Sequence, residues 1–195
     1  MFTYKIDHEL ELALPRPELD AEAIYQLVEK NRTEFAKWLP WASNIKSPKD
    51  EEKFLKDCLQ KYGKGEMLLT IIWYNHKPVG TLTLNRFHAS DKSTEIGYWL
   101  DKDASGKGIM HRTVLALCDI AFTDYDIDKV EIHASVKNDS SNNVAKKAGF
   151  HFDGIHRAGE LLRDGFHDST IWSLLRDEWQ NKKKQDRLKP ILLFS

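Results

Sequence analysis

Two periods of apolar and polar residues run through this chain. Alternation marks short strands near 3–6 and 9–14, and a 3.6-residue spacing predicts a helix over about 20–36. Ser47-Pro48 reads as a cap and first helical residue, opening a helix that runs to about Tyr62. Met67–Trp73 and Val79–Phe87 read as paired strands around the turn at Tyr74–Pro78, followed by a polar loop at His88–Ser93. Glu95–Leu100 alternates again and leads into glycines at 106 and 108. From Ile109, apolar residues at Thr113, Ala116, Leu117, Ile120 and Ala121 mark one helix face. Lys129–Val136 is a β-branched strand, and Asn138 to Gly149 has cap residues at both ends of a helical run. Strands near 151–157, 158–162 and 168–175 follow, with Asp164-Gly165 as a turn. The order predicts an α/β (α+β) fold: a mixed, mostly antiparallel sheet flanked by helices.

The passage through Ser105-Gly106-Lys107-Gly108 carries the first chemical signal. A helix entered through a bare glycine loop presents unpaired N–H groups and a positive dipole end, which suits a phosphate or pyrophosphate. Two common phosphate motifs are excluded. Asp101 stands where a Walker loop needs its first glycine, and His111 where a dinucleotide fingerprint needs its third. Alone, the Gly-Lys-Gly loop fits a plain turn as well as a ligand cradle.

The second segment is more specific. Glu95-Ile96-Gly97-Tyr98-Trp99-Leu100, the Gly-Lys-Gly loop, Asn138-x-x-Ser141 and Lys147-x-Gly149-Phe150 follow one another in a particular order and spacing. In these motifs the chain resembles the GNAT-fold acetyl-CoA N-acetyltransferases, in the branch typified by the ribosomal-protein N-terminal acetyltransferases RimJ and RimL. The resemblance spans nearly the whole chain up to about residue 180. It implies that the strand before the glycine loop and the strand ending near Val136 run parallel and then splay to admit the pantetheine arm. It implies acetyl-CoA as cosubstrate, without a metal. Backbone N–H groups of Ser105, Gly106, Lys107, Gly108, Ile109 and Met110 would hold the pyrophosphate, Lys107 adding charge. The backbone of Tyr98, Trp99 and Leu100 would pair with the pantetheine amides, and Asn138 and Asn143 would complete the cofactor set. Asp103 stands where the family often has Gln or Arg, an unhelpful charge beside phosphates. Trp38, Trp41, Asn85 and Phe87 become candidate walls of the acceptor site, with Glu95 beside them.

Composition narrows the partners. With 195 residues, 41% hydrophobic and 30% charged, the chain is large enough for one domain with a proper core. That domain is expected over residues 1–180, followed by a charged tail at 181–195. A formal charge of −1 gives no reason to expect nucleic acid or a membrane as partner. Two cysteines, Cys58 and Cys118, without a secretory signal, point to a reducing cytoplasm and against a disulfide. None of the eight histidines has metal-ligand spacing. Lys182–Lys189 reads as a solvated run before the apolar tip Ile191–Phe194, and the resemblance implies a homodimer.

Acetyl transfer needs a neutral amine, a polarised thioester and a proton for the departing thiolate. Neutralising an α-amine at pH 7 costs about 1 kcal/mol, and a lysine nearly 5, at about 1.36 per pKa unit. One carboxylate is therefore an adequate base for a peptide N-terminus. The resemblance assigns that role to Glu160, accompanied by His167 and Asp168; Glu95 is the rival base or a clamp on the amine. Ser141 is the candidate acid, because Ala145 occupies the position where many relatives carry a tyrosine. As a residue type it serves equally well as a helix cap. Three acceptor readings stay open: a protein N-terminus, a small amine such as an aminoglycoside or polyamine, or no acceptor at all in an acyl-CoA sensor.

Overall fold

In the computed structural model, which describes residues 2–88 and 90–188, one eight-stranded sheet organises every other element. In chain order these are β1 (Thr3–Lys5), β2 (Leu10–Ala13), α1 (Pro17–Trp38), a 3-10 turn (Pro40–Ser43), α2 (Pro48–Gly63), β3 (Leu68–Tyr74), β4 (Lys77–His88), β5 (Ser93–Leu100), a second 3-10 turn (Lys102–Ala104), α3 (Ile109–Asp124), β6 (Lys129–Ser135), α4 (Asp139–Ala148), β7 (His151–Leu162), β8 (Gly165–Leu175) and α5 (Arg176–Leu188). The strand order is β1-β2-β3-β4-β5-β6-β8-β7. Only the β5–β6 pair is parallel; all other neighbours are antiparallel. The mixed sheet expected from the sequence is present, with its parallel step at the centre.

Alternation along the strands assigns each residue to a face. Leu82, Leu84 and Ile96 join Val114, Leu117 and Ala121 of α3 and Ala145 of α4 in the main core. On the opposite face Ile71 and Trp99 meet Ile24, Val28 and Phe35 of α1, while Leu69 meets Leu55 and Cys58 of α2. Cys58 and Cys118 are thus free, buried and on opposite sides of the sheet, which leaves no geometry for a bridge. Among the described residues, no helix is long and apolar enough to cross a membrane.

Several boundaries differ from the sequence reading. Helix α1 starts at Pro17, because Asp20 turns back to accept the Arg16 N–H at 2.7 Å and its guanidinium at 2.6 Å. The strands expected at 151–157 and 158–162 are one strand, β7, with a register shift between His156 and Glu160. Ala158 absorbs the shift at φ 51° while its N–H donates to Asp168 Oδ1 at 2.8 Å. The charged run from Lys182 does not leave the domain as a plain tail; it continues α5 as far as Leu188. Trp179 buries its ring beside Phe122 of α3, and Lys182 Nζ donates to the Ala148 carbonyl at 3.0 Å. The apolar tip at Ile191–Phe194 lies outside the described residues.

Helix α2 contains one costly group. Ser47 caps it by accepting the Asp50 N–H at 3.2 Å, as the sequence predicts. Glu51, one residue on, is 2% exposed and has a carboxylate oxygen without a partner. Burial pushes its pKa up to about 7. A carboxyl whose folded pKa exceeds its unfolded value binds an extra proton on folding, so stability falls as pH rises from about 4.5 to 7. Glu51→Gln is expected to stabilise the protein by about 2–3 kcal/mol near pH 8, with the gain vanishing toward pH 4–5. Urea denaturation of both proteins at the two pH values measures it.

Candidate functional site

The parallel ladder between β5 and β6 is short. Only Ser93, Thr94 and Glu95 pair, with Lys129, Val130 and Glu131, although β5 runs on to Leu100 and β6 to Ser135. Past Glu95 the strands part. Their outer edges stay paired, β5 with β4 up to Leu100 and β6 with β8 up to Ser135, so the gap opens without tearing the sheet. A cavity of about 900 Å³ fills it, bounded by Glu95 and Glu160 towards one end and by Ser105, Gly106 and Gly108 towards the other.

The end of β5 is fastened to α1. Buried Asp101 accepts from Lys30 Nζ at 2.7 Å and Asn31 Nδ2 at 2.9 Å, and Asn31 Oδ1 accepts the Lys102 N–H at 3.2 Å. Lys30 also contacts Asp103 at 2.7 Å. The acidic residue that looked misplaced beside phosphates is therefore neutralised from α1. Gly106 and Gly108 then adopt φ 78° and 70°, left-handed values that suit glycine. Space is not the reason, since nothing lies within 4 Å of where a Cβ would stand on either. Gly108 caps α3, whose ladder starts when Arg112 N–H donates to the Gly108 carbonyl at 3.1 Å. The N–H groups just before it face the loop, as an anion site requires.

Side chains around the loop divide unequally. Ser105, Ile109 and Met110 line the cavity. Lys107 does not: its ammonium lies over the Tyr74 ring, 5.7 Å from the centroid, on the loop's other side. Lys102 and Lys147, both on the wall, bring positive charge to this end. His111 also lines this end, its Nδ1 enclosed and unpartnered. Burial first, then Lys182 and Lys147, lower its pKa.

On the α4 side, Asn138 caps the helix, its Oδ1 accepting the Ser141 N–H at 3.2 Å. Asn138, Ser141 and Asn143 all line the cavity. The Ser141 hydroxyl lies 2.8 Å from the Tyr98 phenol. Burial pushes the Tyr98 pKa up to about 12, so the phenol stays protonated and able to donate. The sequence reading used only the Tyr98 backbone; its side chain crosses from β5 to α4 beneath the gap. Trp99, the next residue, faces the other way into the α1 core, its ring 5.2 Å from Phe35 and 6.5 Å from Trp41. Asn142 was also missed. Its Nδ2 donates to the Ser135 carbonyl and its Oδ1 accepts from Thr170 and Trp172, which locks α4 onto β6 and β8.

The opposite end is acidic and aromatic. Trp38, Trp41, Asn85, Glu95 and Glu160 line it. Gly97 leaves room for the Asn85 side chain, whose Nδ2 would stand 2.7 Å from a Cβ there. Phe87, expected on the same wall, is not there. A register shift between Asn85 and His88, with Arg86 at φ 49°, turns Phe87 to the other face, where it stacks on Tyr125 at 5.0 Å. Glu160 stands opposite His167 in the β7–β8 ladder, and one carboxylate oxygen is enclosed without a partner. Burial raises its pKa, against the pull of His167, and Glu95 raises it further. The Glu95 pKa is also raised, mainly by burial, with His133 opposing. Among the described residues, no group of three metal-ligating side chains is brought together.

A splayed parallel pair with a bare glycine turn at its end can be compared directly with known proteins. The profile of the Acetyltransferase (GNAT) domain matches residues 9–151, most of the chain. The chain belongs to the GNAT acetyltransferase family. This acetyltransferase is 30% identical over 184 residues to the putative ribosomal N-acetyltransferase YdaF of Bacillus subtilis, covering 94% of this chain and 100% of that protein. It is 29% identical over 175 residues to the ribosomal-protein-serine acetyltransferase of Escherichia coli, covering 90% and 97% of the two chains. Among solved structures, RimL, the ribosomal L7/L12 α-N-protein acetyltransferase in complex with coenzyme A, superposes with a TM-score of 0.86 at 26% identity. That match covers 91% of this chain and 99% of RimL. The microcin C7 self-immunity acetyltransferase MccE, with acetyl-CoA and AMP, gives 0.82 at 27% identity over 88% and 94% of the two chains.

In this acetyltransferase, Asp101 holds the strand end from which the glycine loop starts. Asp101→Ala removes one acceptor of Lys30, which keeps Asp103, and one acceptor of buried Asn31, whose Nδ2 keeps the Leu27 carbonyl. The expected result is a loss of about 1–3 kcal/mol of stability and a raised KM for acetyl-CoA, with kcat changed less. Thermal melts and steady-state kinetics measure the two effects.

Proposed function

We propose that the protein acetylates the N-terminal α-amine of a ribosomal protein in the cytosol, using acetyl-CoA in a ternary complex. The observation that carries this reading is the placement of two proton-handling groups along one cavity. Glu160 and Glu95 stand at the acceptor end, and the Ser141–Tyr98 hydroxyl pair stands where the strands part. The relatives named as ribosomal-protein acetyltransferases, matched over nine-tenths of the chain, support the acceptor class. Two free, buried cysteines agree with a reducing compartment.

The chemistry follows from these positions. An α-ammonium between Trp38, Trp41 and the carboxylates gives a proton to Glu160, whose raised pKa suits it to this task. The free amine attacks the thioester carbonyl, and the tetrahedral intermediate collapses with departure of the thiolate. Ser141, hydrogen-bonded to Tyr98 at 2.8 Å, donates a hydroxyl proton to the sulfur, and the second proton that the nitrogen loses as the amide forms restores the Ser141 hydroxyl. Backbone N–H groups at the start of α3 hold the diphosphate throughout.

A second copy of the chain is the proposed partner. β7 is one of the sheet's two edge strands, and its hairpin with β8 carries Ile155, Leu161 and Phe166 at 60%, 61% and 71% exposure. Apolar side chains on an open edge favour association. Sedimentation is expected to give a dimer, and Phe166→Glu a monomer.

The decisive experiment incubates the protein with acetyl-CoA, purified ribosomal proteins and a panel of small amines, and reads the products by mass spectrometry. Modification confined to one protein N-terminus is expected. Labelling of a polyamine or aminoglycoside alone overturns the acceptor assignment, and no product at all favours a sensor. Glu160→Gln is expected to lower kcat by about 10²–10⁴ with acetyl-CoA binding retained. Because Glu160 acts as a carboxylate, activity falls as pH drops through its raised pKa. The acid limb of kcat/KM is therefore expected above the ordinary carboxylate range of about 4.3. Glu95→Gln removes a neighbouring negative charge, so it moves that limb to lower pH.

A further inference from the structure

Acetylation of an ammonium releases two protons. One ends on the sulfur of coenzyme A, and one must reach bulk water in every turnover. The second is the harder to place, because both substrates fill the cavity while Glu160 holds it, and one Glu160 oxygen is enclosed. The carboxylate has to be emptied before it can act again.

The face of β6 beside the carboxylates offers a route. Lys129, Glu131 and His133 occupy alternate positions, while Val130, Ile132 and Ala134 between them are buried on the other face. Glu131 is the register partner of Glu95. Its two oxygens are both engaged, one by Lys129 Nζ at 2.7 Å and the other by His133 Nε2 at 3.3 Å. His133 lines the same cavity as Glu95 and Glu160, yet its side chain is 36% exposed. It therefore touches both the reaction space and water.

We propose that His133, positioned by Glu131, carries the released proton from the cavity carboxylates to solvent. An imidazole accepts on one nitrogen and donates from the other near neutral pH, which a carboxylate or lysine does less well. With Nε2 on Glu131, the ring is fixed and Nδ1 is free to exchange. Glu131 holds the ring through Nε2, and Lys129 holds Glu131 in place. The charges facing Glu95 from every side fit this role: His133 and Glu131 from β6, Arg86 and His88 from β4, and Glu160 from β7. No bond other than N–H and O–H changes in the transfer, and the proton count balances as amide, thiol and one proton to water.

The proposal rests on the acetyl-transfer reading, and its test separates the two. His133→Asn and Glu131→Gln are compared with wild type on an N-terminal peptide of the source organism's L7/L12. For His133→Asn, kcat is expected to fall about tenfold, with both KM values unchanged and activity restored by added imidazole. Glu131→Gln is expected to lower kcat less and to shift its pH profile. An unchanged kcat, or a loss that imidazole does not restore, overturns the proposal. If wild type itself does not acetylate the peptide, that acceptor assignment fails. The carboxyl–imidazole link is then read without an acceptor, by NMR titration of ¹³C-labelled glutamates. His133→Asn is expected to raise the Glu95 midpoint, and an unmoved midpoint overturns the proposal.

Discussion

The separation of β5 from β6 after Glu95 is the constraint on which the rest depends. A sheet normally spends both edges of a central strand on ladder hydrogen bonds. Here the inner edges are given up for half their length, and the loss is sustained because each strand keeps its outer partner, β4 or β8. Each end is also held from a different direction. Asp101 binds the end of β5 to α1, while Asn142 binds the start of α4 to the end of β6 and to β8. Tyr98 spans the gap through its phenol, which meets the hydroxyl and the carbonyl of Ser141. The freed backbone between these anchors is what an extended, amide-bearing ligand arm can use.

The anchors also explain the electrostatic layout. Diphosphate recognition by backbone N–H groups tolerates varied side chains, so Asp103 is harmless once Lys30 lies against it. Lys107 is correspondingly free to turn onto Tyr74. Positive charge reaches this end from Lys102 and Lys147 on separate elements. Negative charge collects at the other end, where burial raises the proton affinity of Glu95 and Glu160 and Glu95 raises that of Glu160 further. One cavity thus holds an anion-binding end and a proton-accepting end, kept apart by the length of the splayed strands.

What the sequence made legible was local. The glycine turn, a cap within the Asn138–Asn143 cluster, the Gly149 cap and the Ser47-Pro48 start each depend on a few neighbouring residues, and each is where it was expected, with Asn138 rather than Ser141 as the cap. What it hid depended on distant partners or on a small backbone irregularity. One residue at positive φ, Arg86, moves Phe87 from the acceptor wall to the core; nothing in an alternating strand pattern announces such a bulge. The Tyr98 side chain could not be assigned, because its partner lies 43 residues away. The charged run after 181 reads as solvated, and it is helical as well, continuing α5 from the packed Trp179.

Two buried carboxylates show how structure separates function from mere cost. Glu51 and Glu160 both have raised pKa values chiefly through burial, and each has one oxygen without a partner. By that criterion alone they are equivalent candidates for a base. Their surroundings differ. Glu51 sits in the first turn of α2, is nearly inaccessible, and burial alone accounts for its shift. Glu160 lines a cavity, faces a second carboxylate, and has histidines on the neighbouring strands. A raised pKa makes a group able to hold a proton at neutral pH, but turnover also requires a substrate that can reach it and a route by which the proton leaves. Glu160 opens on the gap between β5 and β6, and the proposed proton route along β6 starts beside it, whereas Glu51 is sealed among its neighbours and remains a destabilising group.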